Sequence, residues 1–247
     1  MTERTAVQNP ILKYAQDLGW EIISRPDAEV KRGFDTSAVS IQDRACNASL
    51  FFHDILYQKA RQFNPKLEDT KEELVRKLSI LPNNIQGNRD FLAYLRGEKT
   101  FYSKAENREF NLILVDFHNP ANNSYQVTEE YYYFNGHYGN RADIVFLING
   151  IPVVVVECKN ATLDEAIAIG IDQLRRYHNE TPEMMIPQQM FTVTESLGFS
   201  YGVTWNMNKR SIFNWKQEQV GGLEDKVKTF FNKERILAYI KDYIIFA

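Results

Sequence analysis

The feature that most constrains the fold is the stretch 141–160, RADIVFLINGIPVVVVECKN, in which charged residues flank a long apolar run. Four consecutive valines at 153–156 are typical of a strand buried on both faces, in the middle of a sheet covered by helices. Asn149 and Gly150 are typical of a tight turn between two strands. The stretch therefore predicts a central pair of strands with its charged residues at one end.

Three charged residues in this stretch need a physical reason, because a buried charge costs several kcal/mol unless it is paired or binds a metal. Side chains alternate along a strand, so Glu157 and Lys159 share one face. With Asp143 they predict a Mg²⁺ site for phosphate chemistry, and the Cys158 backbone carbonyl is a further candidate ligand. Lys159 is expected to orient or deprotonate a water and to stabilise the charge on phosphorus.

The strand register decides whether Asp143 reaches this site. A regular two-residue turn at 149–150 would set Asp143 opposite Val156, on the wrong face from Glu157. One additional residue, in a three-residue loop or a bulge, sets Asp143 opposite Glu157 instead, and Pro152 is compatible with such an irregularity. We therefore predict an odd-length connection or a β-bulge.

On spacing alone a simpler interpretation fits equally well: Asp143 caps a turn, and Glu157 and Lys159 form an ordinary exposed ion pair. The helix predicted at 162–178 favours a site. Gln173 and Tyr177 are spaced i, i+4, so an amide and a phenol share one helix face. Both side chains are candidates for contacts with DNA backbone or with the attacking water.

The remaining periodicity predicts an α/β fold, with a mixed sheet flanked by helices and a mainly helical N-terminal part. An amphipathic helix ending at Gly19 leads into a short strand, and 25–40 is expected to be irregular. The tail, 223–246, is amphipathic, and its apolar side is expected to need a partner. Further helices are predicted at 47–64, 67–81 and 88–95, and further strands at 110–117, 125–134, 190–196 and 198–205.

Composition limits the partners. The formal net charge of -3 lacks the basic excess with which a protein binds DNA tightly and alone, so partner domains are expected to help. The sequence has no long apolar span, its first twenty residues lack a signal-peptide profile, and it contains only two cysteines. These features predict a cytoplasmic protein with reduced thiols and no membrane partner.

Several motifs together resemble a known family. The stretch 141–160 followed by QLRRY at 173–177 resembles the PD-(D/E)xK nuclease core with the QxxxY signature of its RecB-like branch, with Ala142 in place of the usual proline. The segments NRDFLAYLRGEK, VDFHNPANNSYQV and FFNKERILAYIKDYIIF resemble the N-terminal region of the restriction (R) subunit of type I restriction-modification enzymes.

The resemblance implies roles for individual residues. Asp143 and Glu157 match the metal-binding acids, Lys159 the catalytic lysine, and Gln173 with Tyr177 the pair used in DNA positioning or cleavage. An acid on an early helix often completes such sites, and Asp54 is the candidate here, with a solvated surface aspartate as the alternative.

The resemblance also implies an arrangement of domains and partners. It predicts a helical part at 1–100, an endonuclease core at 101–220, and a linker at 221–247 toward an ATP-driven motor absent from this chain. Double-stranded DNA would be the substrate, held by methylation and specificity subunits. No GxxxxGK[ST] motif occurs, so ATP is expected only in the motor. A stand-alone repair nuclease and an inactive docking or DNA-holding domain are the alternatives.

Overall fold

A mixed seven-stranded sheet forms the centre of the computed structural model, which describes residues 3–163, 165–195, 197–215 and 222–246. The strand order is β1-β4-β5-β6-β7-β8-β9, with β2 and β3 forming a separate hairpin. The strands are β1 (Glu21–Ile23), β2 (Thr100–Ser103), β3 (Arg108–Asn111), β4 (Tyr125–Phe134), β5 (Gly139–Ile148), β6 (Ile151–Cys158), β7 (Met190–Thr194), β8 (Phe199–Val203) and β9 (Phe213–Asn214). The pairs β1–β4 and β6–β7 are parallel, and the others are antiparallel.

Helices cover both faces of this sheet. They are α1 (Asn9–Asp17), α2 (Arg25–Lys31), α3 (Ile41–Ala45), α4 (His53–Phe63), α5 (Lys71–Ser79), α6 (Ile85–Leu95), α7 (Ala166–Glu180), α8 (Pro182–Met185), α9 (Leu223–Phe230) and α10 (Lys233–Ala238), with π-helical turns at Arg4–Gln8 and Tyr239–Tyr243. One core lies around Phe146 and Val156, and a second, with α7, lies around Val145 and Val155. Every residue of β6 is buried, which confirms the predicted α/β fold with a doubly covered central strand.

The β5–β6 connection contains the irregularity that the register argument requires. The turn itself has two residues, Asn149 and Gly150, with φ of 53° and 76°. Ile148 pairs with Ile151, but beyond Leu147 the register shifts by one residue, with Val153 as the extra residue of a β-bulge. The prediction of a bulge is confirmed, and the alternative of an odd-length loop is wrong.

Side-chain hydrogen bonds explain where the predicted elements were wrong. The segment 25–40 is not irregular: α2 occupies 25–31 and α3 follows it, and each begins at a serine, Ser24 or Ser40, that accepts from a backbone amide. The strand predicted at 110–117 ends at residue 111. There the Asn64 amide bonds to both the N–H and the C=O of Ile113, at 2.9 and 2.7 Å, and so replaces a strand partner.

The partner that the apolar side of the C-terminal helices was expected to need is this chain's own core. Phe231 stacks on Phe146 of β5 with ring centroids 3.8 Å apart, and its carbonyl accepts a hydrogen bond from the Trp20 indole at 2.9 Å. Val227 and Ile240 are fully buried in the same core. The sheet also includes β1, from the first hundred residues.

The boundaries of some predicted segments differ from the structure or lie outside the described residues. The division at residues 100 and 220 stays a prediction, and its second boundary lies outside the described residues, as does residue 196 at the end of one predicted strand. The helix predicted from 47 begins only at 53, after the Phe52 amide has bonded to the Gly150 carbonyl at 2.9 Å. Within the described ranges, each helix is too short or too polar to span a bilayer.

Candidate active site

The site forms where β5 and β6 separate. Their ladder ends at the pair Ile144 and Val156, and the next backbone amide, that of Cys158, donates instead to Oδ2 of Asp143 at 2.7 Å. The carboxylate of Asp143 thus takes the place of a strand carbonyl. This arrangement fixes the side chain beside the end of β6, where Glu157 lies.

Lys159 connects the two acids. Its Nζ lies 3.3 Å from Oε2 of Glu157 and 3.7 Å from Oδ2 of Asp143, and it donates to the Cys158 carbonyl at 2.8 Å. The side chains of Asp143, Glu157 and Lys159 are 11%, 0% and 8% exposed. An ordinary exposed ion pair at a strand end is therefore excluded.

Helix α7 supplies the polar groups that hold Glu157. The Tyr177 hydroxyl lies 2.9 Å from Oε1 of Glu157 and 2.6 Å from the Arg141 carbonyl, and its one proton serves one of these acceptors at a time. The same hydroxyl accepts a hydrogen bond from Nε2 of Gln173 at 2.7 Å. All five residues expected at the catalytic centre are thus brought together in one hydrogen-bonded group.

The close approach of α7 to the sheet depends on Gly170. A Cβ at this position would lie 2.3 Å from Cγ1 of Val193 and 3.4 Å from Cγ of Lys159. Any side chain here would push the helix away from β6 and β7. Gly170 therefore sets the distance at which Tyr177, two turns further along α7, reaches Glu157.

Burial and like charge control the protonation of the cluster. Burial raises the pKa of Glu157 well above its ordinary value, and the neighbouring Asp143 carboxylate raises it further, while Lys159 lowers it. Burial lowers the pKa of Lys159, but the carboxylates of Glu157, Asp143 and Glu3 raise it more, so its pKa is above the ordinary value. Lys159 is therefore a cation near neutral pH in the metal-free chain.

Asp54 is not part of this cluster. Its side chain is 86% exposed, and it forms an ion pair with Lys71 at 2.9 Å. It lies at the start of α4, which adjoins Gly150 and hence the turn end of the β5–β6 hairpin. The structure agrees with the alternative that this residue is a solvated surface aspartate.

An acid at the very start of the described chain lies closer. The Glu3 carboxylate accepts a hydrogen bond from the Asn160 backbone amide; burial and then Asp143 raise its pKa, and Lys159 lowers it. Sequence reasoning missed this residue because its neighbourhood depends on contacts across the whole chain. The available indication in the sequence was that an acid stands at the start of an amphipathic helix.

Comparison with known protein families identifies the family of this chain. The family described as the N terminus of the type I restriction enzyme R protein (HSDR_N) matches residues 1–213. This chain belongs to that family. The resemblance seen in the sequence is thereby confirmed.

Two relatives illustrate that the sequence identity within the family is low and that the relatives are longer than this chain. The type I restriction enzyme HindI endonuclease subunit of Haemophilus influenzae is 23% identical over 266 residues, covering 100% of this chain and 24% of the relative. A putative type I restriction enzyme MjaVIIIP endonuclease subunit of Methanocaldococcus jannaschii is 23% identical over 252 residues, covering 98% and 22%. The chain thus spans about a quarter of the length of these relatives.

Two further acids, Glu129 and Glu130 of β4, lie beside the cluster of Asp143, Glu157 and Lys159. Arg4 pairs with Glu129 at 2.5 Å, and Arg141 pairs with Glu130 at 2.8 Å. Each of these two acids thus has its own arginine, whereas Asp143 and Glu157 share the one Lys159 ammonium.

The donor set fits a hard divalent cation such as Mg²⁺, because the available ligands are carboxylate and carbonyl oxygens. In the part of the chain that the structure describes, no group of three His, Cys, Asp or Glu side chains is placed to hold a metal. Asp143 and Glu157 would thus be the protein ligands, with water or substrate completing the shell. The Cys158 carbonyl is adjacent and here accepts from Lys159.

Proposed function

We propose that this chain is the Mg²⁺-dependent endonuclease region of a type I restriction enzyme R subunit, hydrolysing phosphodiester bonds of double-stranded DNA. The single observation that carries the proposal is the buried group of Asp143, Glu157 and Lys159, in which two carboxylates share one ammonium. Such an arrangement is costly for folding alone. The names of the relatives, all type I restriction endonuclease subunits, point to the same activity.

The residues divide the chemistry between them. Asp143 and Glu157 would hold Mg²⁺, which when bound lowers the pKa of a water and offsets the charge on the phosphate. The Lys159 ammonium orients the attacking water and stabilises the developing negative charge at phosphorus. Tyr177 fixes Oε1 of Glu157, and Gln173 fixes the Tyr177 hydroxyl in turn, so that the carboxylate keeps one orientation.

The acidic balance of the chain supports a role within a larger complex. The net charge is -3, and binding to a duplex depends on cations that release counterions. We therefore infer that methylation and specificity subunits hold the DNA and that an ATP-driven motor, outside this chain, delivers it. The site of recognition would then lie in other subunits, and ATP would serve the motor alone.

Two other functions are less well supported. An inactive docking domain would not need to keep a buried ammonium between two buried carboxylates. A stand-alone repair nuclease would use the same chemistry, but the family match over residues 1–213 favours a restriction subunit.

The test is Lys159→Ala in the reconstituted restriction complex, with DNA cleavage and ATP hydrolysis measured together. Loss of cleavage with unchanged ATP hydrolysis is expected, because the substitution removes the ammonium at the site and leaves the motor intact. Lys104→Ala, at an exposed position in the turn between β2 and β3, is the matched control and should cleave normally. Undiminished cleavage by Lys159→Ala would refute the assigned role.

A further inference from the structure

Two arginines flank the candidate active site, and neither is used by the chemistry described above. Arg141 lies two residues before Asp143, and its carbonyl lies 2.6 Å from the Tyr177 hydroxyl. Arg4 follows Glu3, whose carboxylate bonds to the Asn160 amide. The backbone of each arginine is thus tied to the site through a neighbouring contact, while its side chain extends toward β4.

The partners of these arginines are consecutive residues of β4. Glu129 pairs with Ile144 and Tyr131 with Ala142 in the β4–β5 ladder, so Glu130 stands between them, beside Asp143. Glu130 has a φ of 55°, in the left-handed region that is uncommon for a residue with a side chain. From this irregular position, which the ladder skips, Glu130 forms its ion pair with Arg141 next to Asp143.

Exposure separates the two members of each pair. The side chains of Glu129 and Glu130 are 18% and 16% exposed, whereas those of Arg4 and Arg141 are 58% and 52% exposed. The acids are therefore fixed against the sheet, and the guanidinium groups face solvent beside the site. A guanidinium carries five N–H donors in a fork that matches phosphate, so a single contact to glutamate leaves donors for a second acceptor.

We propose that Arg4 and Arg141 bind backbone phosphates of the DNA duplex next to the Asp143–Glu157–Lys159 cluster, and that Glu129 and Glu130 hold these arginines in place until DNA arrives. The inference rests on the proposed function and adds to it the residues that grip the substrate. It also explains how an acidic chain presents positive charge to DNA. The guanidinium groups of Arg4 and Arg141 are exposed beside the site, whereas the acids of the site are buried.

The two members of an ion pair should affect DNA binding in opposite directions. Removing an arginine removes one phosphate contact, so the affinity falls and the slope of log affinity against log salt becomes less negative by about 0.9. Removing the charge of its glutamate frees the arginine for phosphate, so Glu130→Gln should bind DNA more tightly. An ion pair with a purely structural role would give no such opposition.

The experiment measures fluorescence anisotropy of a short labelled duplex of mixed sequence with the whole chain in EDTA, from low salt upward. The variants are Arg4→Gln, Arg141→Gln and Glu130→Gln. The matched controls are Arg108→Gln, on β3, and Glu106→Gln, in the turn between β2 and β3. Urea denaturation of each variant shows whether the fold is retained.

The expected result is a smaller salt slope for both arginine variants, tighter binding for Glu130→Gln, and wild-type behaviour for both controls. Unchanged slopes in the two arginine variants, with normal binding by wild type, would overturn this inference and leave the cleavage test of Lys159→Ala standing. Weaker binding by Glu130→Gln would also overturn it, since the pair would then be structural. A wild-type chain without affinity at any salt concentration would overturn this inference alone, because the proposed function assigns the hold on DNA to other subunits and is tested separately by Lys159→Ala in the reconstituted complex.

Discussion

Replacing Glu157 with glutamine should stabilise the metal-free chain while removing a proposed metal ligand. Glu157 is fully buried, and it shares the single Lys159 ammonium with Asp143. Burial and the Asp143 carboxylate both raise the pKa of Glu157, which means that its ionised form destabilises the folded state. Glutamine keeps the shape of the side chain and removes the charge.

The size of the expected gain in stability depends on the charges and hydrogen bonds that remain after the substitution. Removing one member of a buried pair usually costs about 3 to 5 kcal/mol, because an unpaired charge remains. Here Lys159 keeps Asp143, at 3.7 Å, so no charge is left alone. The Tyr177 hydroxyl can donate to the Arg141 carbonyl and accept from the new amide, so its hydrogen bonds are kept. We expect a gain of about 1 to 3 kcal/mol, close to that seen when buried ion pairs are replaced.

The gain should depend on pH in a defined direction. With a raised folded-state pKa, Glu157 takes up a proton in the folded chain while the same carboxyl is still ionised in the unfolded chain. Its contribution to stability is therefore most favourable below the unfolded pKa, about 4.3, and is lost as the pH rises through the folded pKa. The advantage of Glu157→Gln is thus largest at neutral pH and shrinks toward acid.

Urea denaturation in EDTA measures this, at neutral pH and at about pH 5, with thermal melts shifting by roughly 2 to 4 °C per kcal/mol for a chain of this size. Glu98→Gln, at an exposed position, is the control and should change stability by less than about 0.5 kcal/mol. A Glu157→Gln chain that is less stable than wild type at neutral pH, or a gain that does not change with pH, would refute the reasoning.

Three further predictions concern the fold and the assignment of acids. Phe231→Ala removes a buried ring stacked on β5 and should lower the free energy of unfolding by about 3 to 5 kcal/mol in urea; a loss below about 1 kcal/mol would show that the tail is not part of the core. Gly150→Ala should lower the free energy of unfolding clearly more than Gly136→Ala. Both glycines have positive φ, but only a Cβ at 150 would meet a backbone oxygen, that of Phe52, at 2.8 Å. Equal losses of stability in the two variants would contradict the close packing of this turn. Asp54→Asn should leave DNA cleavage by the reconstituted complex unchanged, whereas Asp143→Asn should abolish it; loss of cleavage in both would return Asp54 to the site.

Local chemistry in the sequence was sufficient to predict the centre of the molecule. A site shared by Asp143 and Glu157 required one additional residue, in an odd-length loop or a bulge, and the structure has it as a bulge at Val153. The spacing of Gln173 and Tyr177 placed them on one face of α7, because a helix brings residues four apart together. These predictions depended on neighbours close in sequence or on one strand pairing.

The predictions that were missed depend on residues far apart in the chain. Glu3 meets Asn160 only because the π-helical turn that begins at Arg4 packs against β6, a contact that no local pattern encodes. The apolar run after Asn111 has the pattern of a strand, yet the Asn64 side chain takes its backbone hydrogen bonds. Side chains that replace backbone partners leave no periodic signal in the sequence.

The most direct test of the central claim is a calorimetric titration of the wild-type chain and of Asp143→Asn with Mg²⁺. The account predicts metal-linked heat in wild type and its loss in Asp143→Asn, which keeps an oxygen to accept from the Cys158 amide but lacks the charge. Asp54→Asn should titrate like wild type. Absence of metal-linked heat in wild type, or identical isotherms for wild type and Asp143→Asn, would contradict a metal site at the end of β6.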